Sequence, residues 1–425
     1  MLDEFAVILG VIVAFAIIIF LIRKRFNFGL SLIIGSIILG VFSLQKIQPI
    51  DIPKAMIEAT IYSFEKQQIV TETIELAILM TLIYVLARAM QETVAINKLI
   101  SSLRTFFSRG GILGIIPSIY GLMPNPGGAI LSAPMIDEEG KKYNLTNDQK
   151  NLLNIWFRHI WETVYPAYPA MILICSVTFS NINIFTLSII DIPAFLTAIF
   201  IGAFFLNKFI KKPAQKKLKI GKNYSGLVFI LPPIVPLFFY IVLQVYGFSQ
   251  TQSFLIGIIF SIILLYLLVK ISAKEYLSIL KKSLTWKLVA AIFGIMIFRQ
   301  MFEITGANVD IASMVGSLLF SALAIVIIIP FLLGFLIGYN LGAIALSYFL
   351  VQPFFVITGF SLLGLTSIIF ISAFAGYVIS PIHLCNVLSS DYLRTDTTRI
   401  YKWFIPAALA VLVVQIIFIV LFPSL

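Results

Sequence analysis

The sequence predicts an all-α polytopic membrane protein, with about ten transmembrane helices and two re-entrant hairpins arranged as two inverted repeats. Three observations carry this. Of 425 residues 60% are hydrophobic and only 12% are charged. Apolar runs of spanning length recur in the same order in each half. Scarce polar residues repeat between the halves at a nearly fixed offset.

A mean hydropathy of +1.04 exceeds what any soluble core requires. Lipid offers the backbone no hydrogen-bond partners, so the apolar runs are expected to be helices. The net charge of +11 does not point to nucleic acid, because the lysines cluster in short loops and report orientation instead. Cys175 and Cys385 both fall in apolar stretches and imply no redox compartment.

Taken in order, the first run, Phe5 to Ile22, follows Asp3 and Glu4 and precedes Arg23, Lys24 and Arg25, which predicts an uncleaved span rather than a signal peptide. The first-half spans are expected near 4–22, 28–44, 73–90, 150–180 and 188–207, with a hairpin of two interrupted arms near 112–136. Residues 207–224 hold Lys208, Lys211, Lys212, Lys216, Lys217, Lys219 and Lys222 with no acid, and form a basic cytoplasmic linker. It separates a first repeat, 1–206, from a second, 225–425. There the spans are expected near 225–247, 250–270, 286–304, 366–391 and 403–422, with a hairpin near 320–352, whose longer first arm also admits a kinked full span.

The remaining loops fit one orientation. Arg23 to Arg25, the 94–111 loop, Lys141 with Lys142, the 270–287 stretch, and Arg394 with Arg399 and Lys402 all fall inside. The segments 45–72 and 306–318 are mixed or acidic and fall outside. Both termini are then extracytoplasmic, in the cell membrane.

The repeat is visible as Arg88-x-Met90-x-Glu92 against Arg299-x-Met301-x-Glu303, an offset of 299 − 88 = 211 that Asn97 and Asn308 share. Farther on, Asn125, Gly127, Leu131, Ser132 and Pro166 recur as Asn340, Gly342, Leu346, Ser347 and Pro381, where 340 − 125 = 381 − 166 = 215. Five crossings per half invert the second half relative to the first, the architecture of secondary transporters.

Ligand chemistry is expected where helices break. In Pro124-Asn125-Pro126-Gly127-Gly128 the prolines remove donors and the glycines permit left-handed turns. Arms of about a dozen residues, roughly 18 Å, reach mid-membrane without crossing. Asn340 and Gly342 mark the second tip. Two further breaks fall at Tyr165-Pro166-Ala167-Tyr168-Pro169 and at Ser380-Pro381-Ile382-His383. Freed carbonyls there attract cations and exposed amides attract anions, so one site can take a coupling ion and an anionic substrate. The candidate ligand-binding residues are Asn125, Gly127, Gly128, Ser132, Arg158, His159, Glu162, Tyr165, Tyr168, Asn340, Gly342, Ser347, Ser380, His383 and Asn386, with Pro126, Pro166 and Pro381 as helix breakers.

The charged residues each have a structural alternative. Arg158 and Glu162, at i and i+4, have the spacing of an ion pair that would steady the broken helix; otherwise Arg158 anchors substrate, and Glu162 with His159 handles protons. Arg88 with Glu92 and Arg299 with Glu303 are expected to be interfacial anchor pairs. Asp191-Ile-Pro193, like Asp51-Ile-Pro53, has the pattern of a helix N-cap with proline in the first turn. Proton coupling through His159 or His383 is weighed against plain packing.

With polar turns at hairpin tips and at the broken helices that follow, the chain resembles the ion transporter superfamily, which includes gluconate, citrate and dicarboxylate carriers and the arsenite permease. The Asn125-Pro126-Gly127-Gly128 tip and Ser380-Pro381-Ile382-His383-Leu384-Cys385 resemble more closely an uncharacterised integral membrane family within it. The Ser-Asn-Thr turns of the sodium-coupled dicarboxylate branch are missing, so that branch's sodium dependence and substrate do not carry over. The resemblance implies an elevator-like carrier.

The expected function is secondary transport of a small, anionic, polar solute driven by a proton or sodium gradient, with a channel and an intramembrane enzyme or lipid flippase as rivals. No His-Glu-x-x-His, Gly-x-Ser-x-Gly or nucleotide-binding loop supports enzyme chemistry. No cofactor or metal is expected. The expected partners are a small-molecule anion and the lipid bilayer, with a homodimer as the candidate assembly and no nucleic acid.

Overall fold

The computed structural model describes residues 2–107, 110–123, 128–210, 224–316 and 322–425. Asn125, Pro126 and Gly127, where the first hairpin tip is expected, and most of the expected basic linker lie outside them. The first half comprises α1 (Leu2–Arg23), α2 (Phe28–Phe42), α3 (Asp51–Thr60), α4 (Thr71–Glu92), α5 (Ala95–Leu103), α6 (Ile112–Gly121), α7 (Ala129–Lys141), α8 (Asn147–His159), α9 (Pro169–Cys175), α10 (Ile184–Ile190) and α11 (Ile192–Phe209). The second comprises α12 (Leu231–Val245), α13 (Gln250–Val269), α14 (Ala273–Ser283), α15 (Trp286–Thr305), α16 (Ala307–Gly316), α17 (Ala322–Ile337), α18 (Asn340–Val351), α19 (Phe355–Thr358), α20 (Leu362–Val378), α21 (Leu384–Leu393) and α22 (Thr397–Leu421). A two-residue antiparallel pairing, Tyr62–Ser63 with Gln68–Ile69, interrupts the helices between α3 and α4.

Among the described residues, eight helical stretches are long and apolar enough to cross a membrane. This is fewer than the ten or so expected, and the difference lies in particular elements. The span expected near 28–44 is the 15-residue α2. Those expected near 150–180 and 366–391 are each divided by their proline break, into α8 and α9 and into α20 and α21. Conversely, α18 runs through a 3-10 turn into α19, so Asn340–Thr358 alone reaches spanning length. Residues 338 and 339 separate it from α17.

Packing follows one plan in both halves and crosses between them. α1 lies on α2 as α12 lies on α13, and α6 lies on α7 and α8 as α17 lies on α18 and α20. Across the halves, α2 packs on α15 while α13 packs on α4, and α11 packs on α22. Without a hydrophobic drive inside lipid, such contacts depend on close approach by small residues. A Cβ at Gly29 would lie 1.9 Å from the Ala290 carbonyl oxygen, and one at Gly294 would lie 2.4 Å from that of Gly29, so α2 and α15 touch backbone to backbone.

Both anchor pairs form at helix ends, Arg88–Glu92 at 2.6 Å and Arg299–Glu303 at 2.8 Å. The caps expected of Asp51 and Asp191 do not form. Asp51 accepts from the Gln48 amide at 2.8 Å, before its helix. Asp191 is fully buried; its Oδ1 accepts from Ser367 Oγ at 2.6 Å and from Gln415 Nε2 at 3.4 Å. The first-turn amide of Ala194 bonds instead to Gln415 Oε1 at 3.2 Å. A glutamine from α22 therefore does the capping, and the aspartate is free for tertiary partners.

Candidate functional site at the crossing of two broken helices

A spanning helix that stops inside the membrane must satisfy its last carbonyls locally. α8 starts on a capping box of Thr146 with Gln149 and gives way after His159 to a 3-10 turn, Ile160–Thr163; α9 restarts at Pro169. α20 starts on a Ser361 cap and ends at Val378, and α21 restarts at Leu384. Asn386 bridges this second break, its Nδ2 donating to the carbonyls of Val378 at 2.9 Å and Ser380 at 3.1 Å. Ser380 Oγ donates to the Phe335 carbonyl at 2.6 Å and ties the break to α17. Gly338, at φ +66°, takes the left-handed turn that aims its carbonyl at His383.

The two breaks meet. His159 Nδ1 lies 2.6 Å from the Ile155 carbonyl, and His383 Nδ1 lies 3.2 Å from that of Gly338. A carbonyl only accepts, so each Nδ1 carries a hydrogen and donates it. The two Nε2 atoms then face one another at 3.0 Å, where two neutral rings would oppose their lone pairs and one added proton would bridge them. Glu162 Oε1 is 4.0 Å from His159 Nε2, and its Oε2 accepts from the Tyr377 hydroxyl at 2.6 Å. The Tyr377 and His383 rings are edge to face at 4.5 Å. Cys385 places its sulfur so that one ligand atom from each of His159, His383 and Cys385 lies within 4.8 Å of the others.

Arg158 adds a buried positive charge. Its Nη1 donates to the Tyr120 carbonyl at 2.8 Å, and its guanidinium occupies the space that a side chain at Gly128 would fill, where a Cβ would come 2.4 Å from Nη2. The i,i+4 pairing of Arg158 with Glu162 does not form, because the helix tightens at His159 and carries the carboxyl to Tyr377. A cavity of about 640 Å³ is lined by Arg158, His159, Glu162, Tyr377, His383 and Cys385, and extends to the exposed Arg23 and Arg25 between α1 and α2.

Of the remaining candidates, Tyr168 and Pro381 line this cavity. Tyr165 turns away and donates to the Pro233 carbonyl at 2.9 Å, and the backbone of Pro166 is buried in the break itself. Ser132 Oγ donates to Asn154 Oδ1 at 2.6 Å, Asn154 Nδ2 to Ser389 Oγ at 2.9 Å and Asn151 Nδ2 to Ser390 Oγ at 2.9 Å, which fastens α7 and α8 to α21. Ser347 bonds within its own helix, to the Ile344 carbonyl at 3.5 Å. A Cβ at Gly342 would meet the Phe28 ring at 2.9 Å. Asn340 is wholly buried between the cavity-lining Tyr339 and Leu341, and neither atom of its carboxamide has a hydrogen-bond partner among the described residues.

Sequence reasoning passes over Tyr377, Cys385, Asn151, Asn154, Ser389 and Ser390. Tyrosine, serine and cysteine are too common in apolar spans to stand out. Tyr377 carried one usable signal, the 215-residue offset that separates it from Glu162.

A family model described as "Protein of unknown function (DUF401)" matches residues 6–421, so the chain belongs to that family. No curated protein matches it.

Proposed function

We propose that this member of the DUF401 family is a secondary active transporter for a small, polar, anionic solute, coupled to a proton or sodium gradient. One observation carries the reading: residues from two separate helix breaks, one in each half of the chain, converge on a single cavity of about 640 Å³, a size suited to a small molecule. Within it Arg158 offers an anion a buried positive charge, while the facing Nε2 lone pairs and the Glu162 carboxyl favour a cation. A coupling ion and an anionic solute can thus sit side by side.

The crossed packing of α2 with α15 and α13 with α4 supports two inverted repeats. So does the Glu162–Tyr377 hydrogen bond, since a two-fold axis brings residues one repeat apart into contact only where they lie on it. Lys46 pairs with Asp310 at 2.6 Å, joining the two segments that orientation places outside. These features support the likeness to the ion transporter superfamily and an elevator-like movement of hairpins with broken helices.

The test is uptake into liposomes holding the purified protein. Small organic anions that stabilise the protein against heat are the solutes to try. The proposal expects saturable uptake, counterflow and dependence on an imposed proton or sodium gradient. Flux that never saturates and lacks counterflow would replace it with a channel. Reporter fusions should place residues 1 and 425 on the same, outer face; opposite faces would end the inverted-repeat reading.

A further inference from the structure

We propose that His159, His383 and Cys385 form a binding site for a borderline-soft divalent transition metal of the zinc class, with Glu162 as the fourth donor. The inference goes beyond the transport reading and does not depend on it.

The first argument is the orientation of the imidazoles. A histidine that ligates a metal through Nε2 characteristically donates its Nδ1 hydrogen to a carbonyl or carboxylate, which fixes the tautomer and the ring. Both rings do so here, to Ile155 and Gly338. Two neutral imidazoles held in this way point their lone pairs at each other across 3.0 Å, which is repulsive unless a cation, a proton or a metal ion, lies between or beside them. The second argument is spacing. Zinc–nitrogen and zinc–sulfur bonds of about 2.0–2.1 and 2.3 Å in a tetrahedron place nitrogens about 3.3 Å apart and nitrogen about 3.6 Å from sulfur. The three ligand atoms lie within 4.8 Å of one another, so a small adjustment of side chains brings them to that spacing, and Glu162, whose Oε1 stands 4.0 Å from His159 Nε2, must shift toward them to complete the tetrahedron.

Charge sets the class of metal. A thiolate and a carboxylate with two neutral imidazoles carry two negative charges, which a divalent cation cancels inside the membrane. Thiolate with imidazole selects zinc-like ions over magnesium or calcium, which take oxygen ligands. The thiol proton is released as the metal binds. The donors come from both halves of the chain, so a bound metal would clamp the two breaks together and exclude a coupling cation from the same lone pairs.

Co²⁺ added to tag-free, full-length protein in detergent, with no gradient present, reads the site independently of transport. The expected result is one Co²⁺ per chain with a thiolate charge-transfer absorbance. Cys385→Ser should abolish the absorbance, and it and His383→Ala should each weaken binding by more than about 100-fold, beyond the loss typical of outer ligand partners. Cys175→Ser, which alters the other cysteine, should change neither. Absence of the absorbance at saturating Co²⁺, or its survival in Cys385→Ser, would overturn the proposal. Should Cys385→Ser not fold, Zn²⁺ protection of Cys385 from alkylation in the wild-type protein decides; unprotected Cys385 counts against the site.

Discussion

The two broken helices share a plan and differ in how they are held. At the second break a side chain of the same broken helix, Asn386, ties down two freed carbonyls, while Ser380 and His383 lean on Phe335 and Gly338 of the neighbouring α17 and its turn. At the first, the polar groups find partners outside the break. Glu162 leans on Tyr377, Tyr165 on the Pro233 carbonyl and Arg158 on the Tyr120 carbonyl. The difference teaches that one backbone scheme can serve two ends. A self-stapled break is a frame, whereas a break whose charged groups are held by neighbours can exchange those neighbours for a ligand.

The comparison breaks most decisively at Arg158. If the first break binds the solute, Arg158→Gln should lower anion affinity by about 1.5–3 kcal/mol, roughly 10- to 150-fold, with the protein still folded in detergent. Calorimetric titration of an anion that stabilises the wild type would show it; unchanged affinity would make Arg158 part of the frame. Asn340 tests the opposite side. It packs beside the stapled break yet has an unpartnered carboxamide, so Asn340→Ala should leave thermal stability unchanged or slightly raised while solute affinity falls by about 1–3 kcal/mol. A stability loss at wild-type affinity would return Asn340 to a turn-forming role. The same pair of measurements applies to Asn125→Ala, its counterpart at the 215-residue offset.

The staple itself should show a smaller effect. Asn386→Ala removes two hydrogen bonds, and at about 0.6 kcal/mol for a side-chain bond within a membrane protein the expected loss is about 1 kcal/mol, read as a lower unfolding temperature. The smallest effect belongs to the C-terminal part of α7, where Asp137 meets Lys150 at the start of α8. Burial works to raise the Asp137 carboxyl, but hydrogen bonds from Lys141 and Lys150 outweigh it and hold the group below its ordinary value. Its stabilisation is therefore present above the unfolded-state pKa, about 3.9, and is lost as pH falls through the lower folded value. Asp137→Asn should cost less than about 1 kcal/mol at neutral pH and nothing in strong acid.

Much of this was legible because proline, asparagine, arginine and histidine are scarce in spans. Their positions marked both breaks, the turn before Asn340 and the two histidines that meet. Partners drawn from the common apolar-span vocabulary were not legible. Nothing local announces that Tyr377 bonds Glu162 or that Cys385 sits beside two imidazoles. Asp191 shows the reverse failure, since its local pattern was a good cap signal and was overridden by Ser367 and Gln415, 176 and 224 residues away. Eight unbroken helices of spanning length are found among the described residues where about ten crossings are expected, because hydropathy continues across a proline break and the helix does not.

The offset between Glu162 and Tyr377 has an evolutionary consequence. Two identical halves related by a two-fold axis would place each axial residue against its own copy, so a glutamate there would meet a glutamate. One of those carboxyls would have to stay protonated, or both be replaced. Tyr168 and His383 stand at the same 215-residue offset, and both line the same cavity. Under the repeat reading, a primordial pair of separate, identical subunits could not have held Glu162 against Tyr377 or set Tyr168 opposite His383. On that reading, only a chain that carries both halves lets each copy vary alone, and the asymmetric site would postdate their fusion.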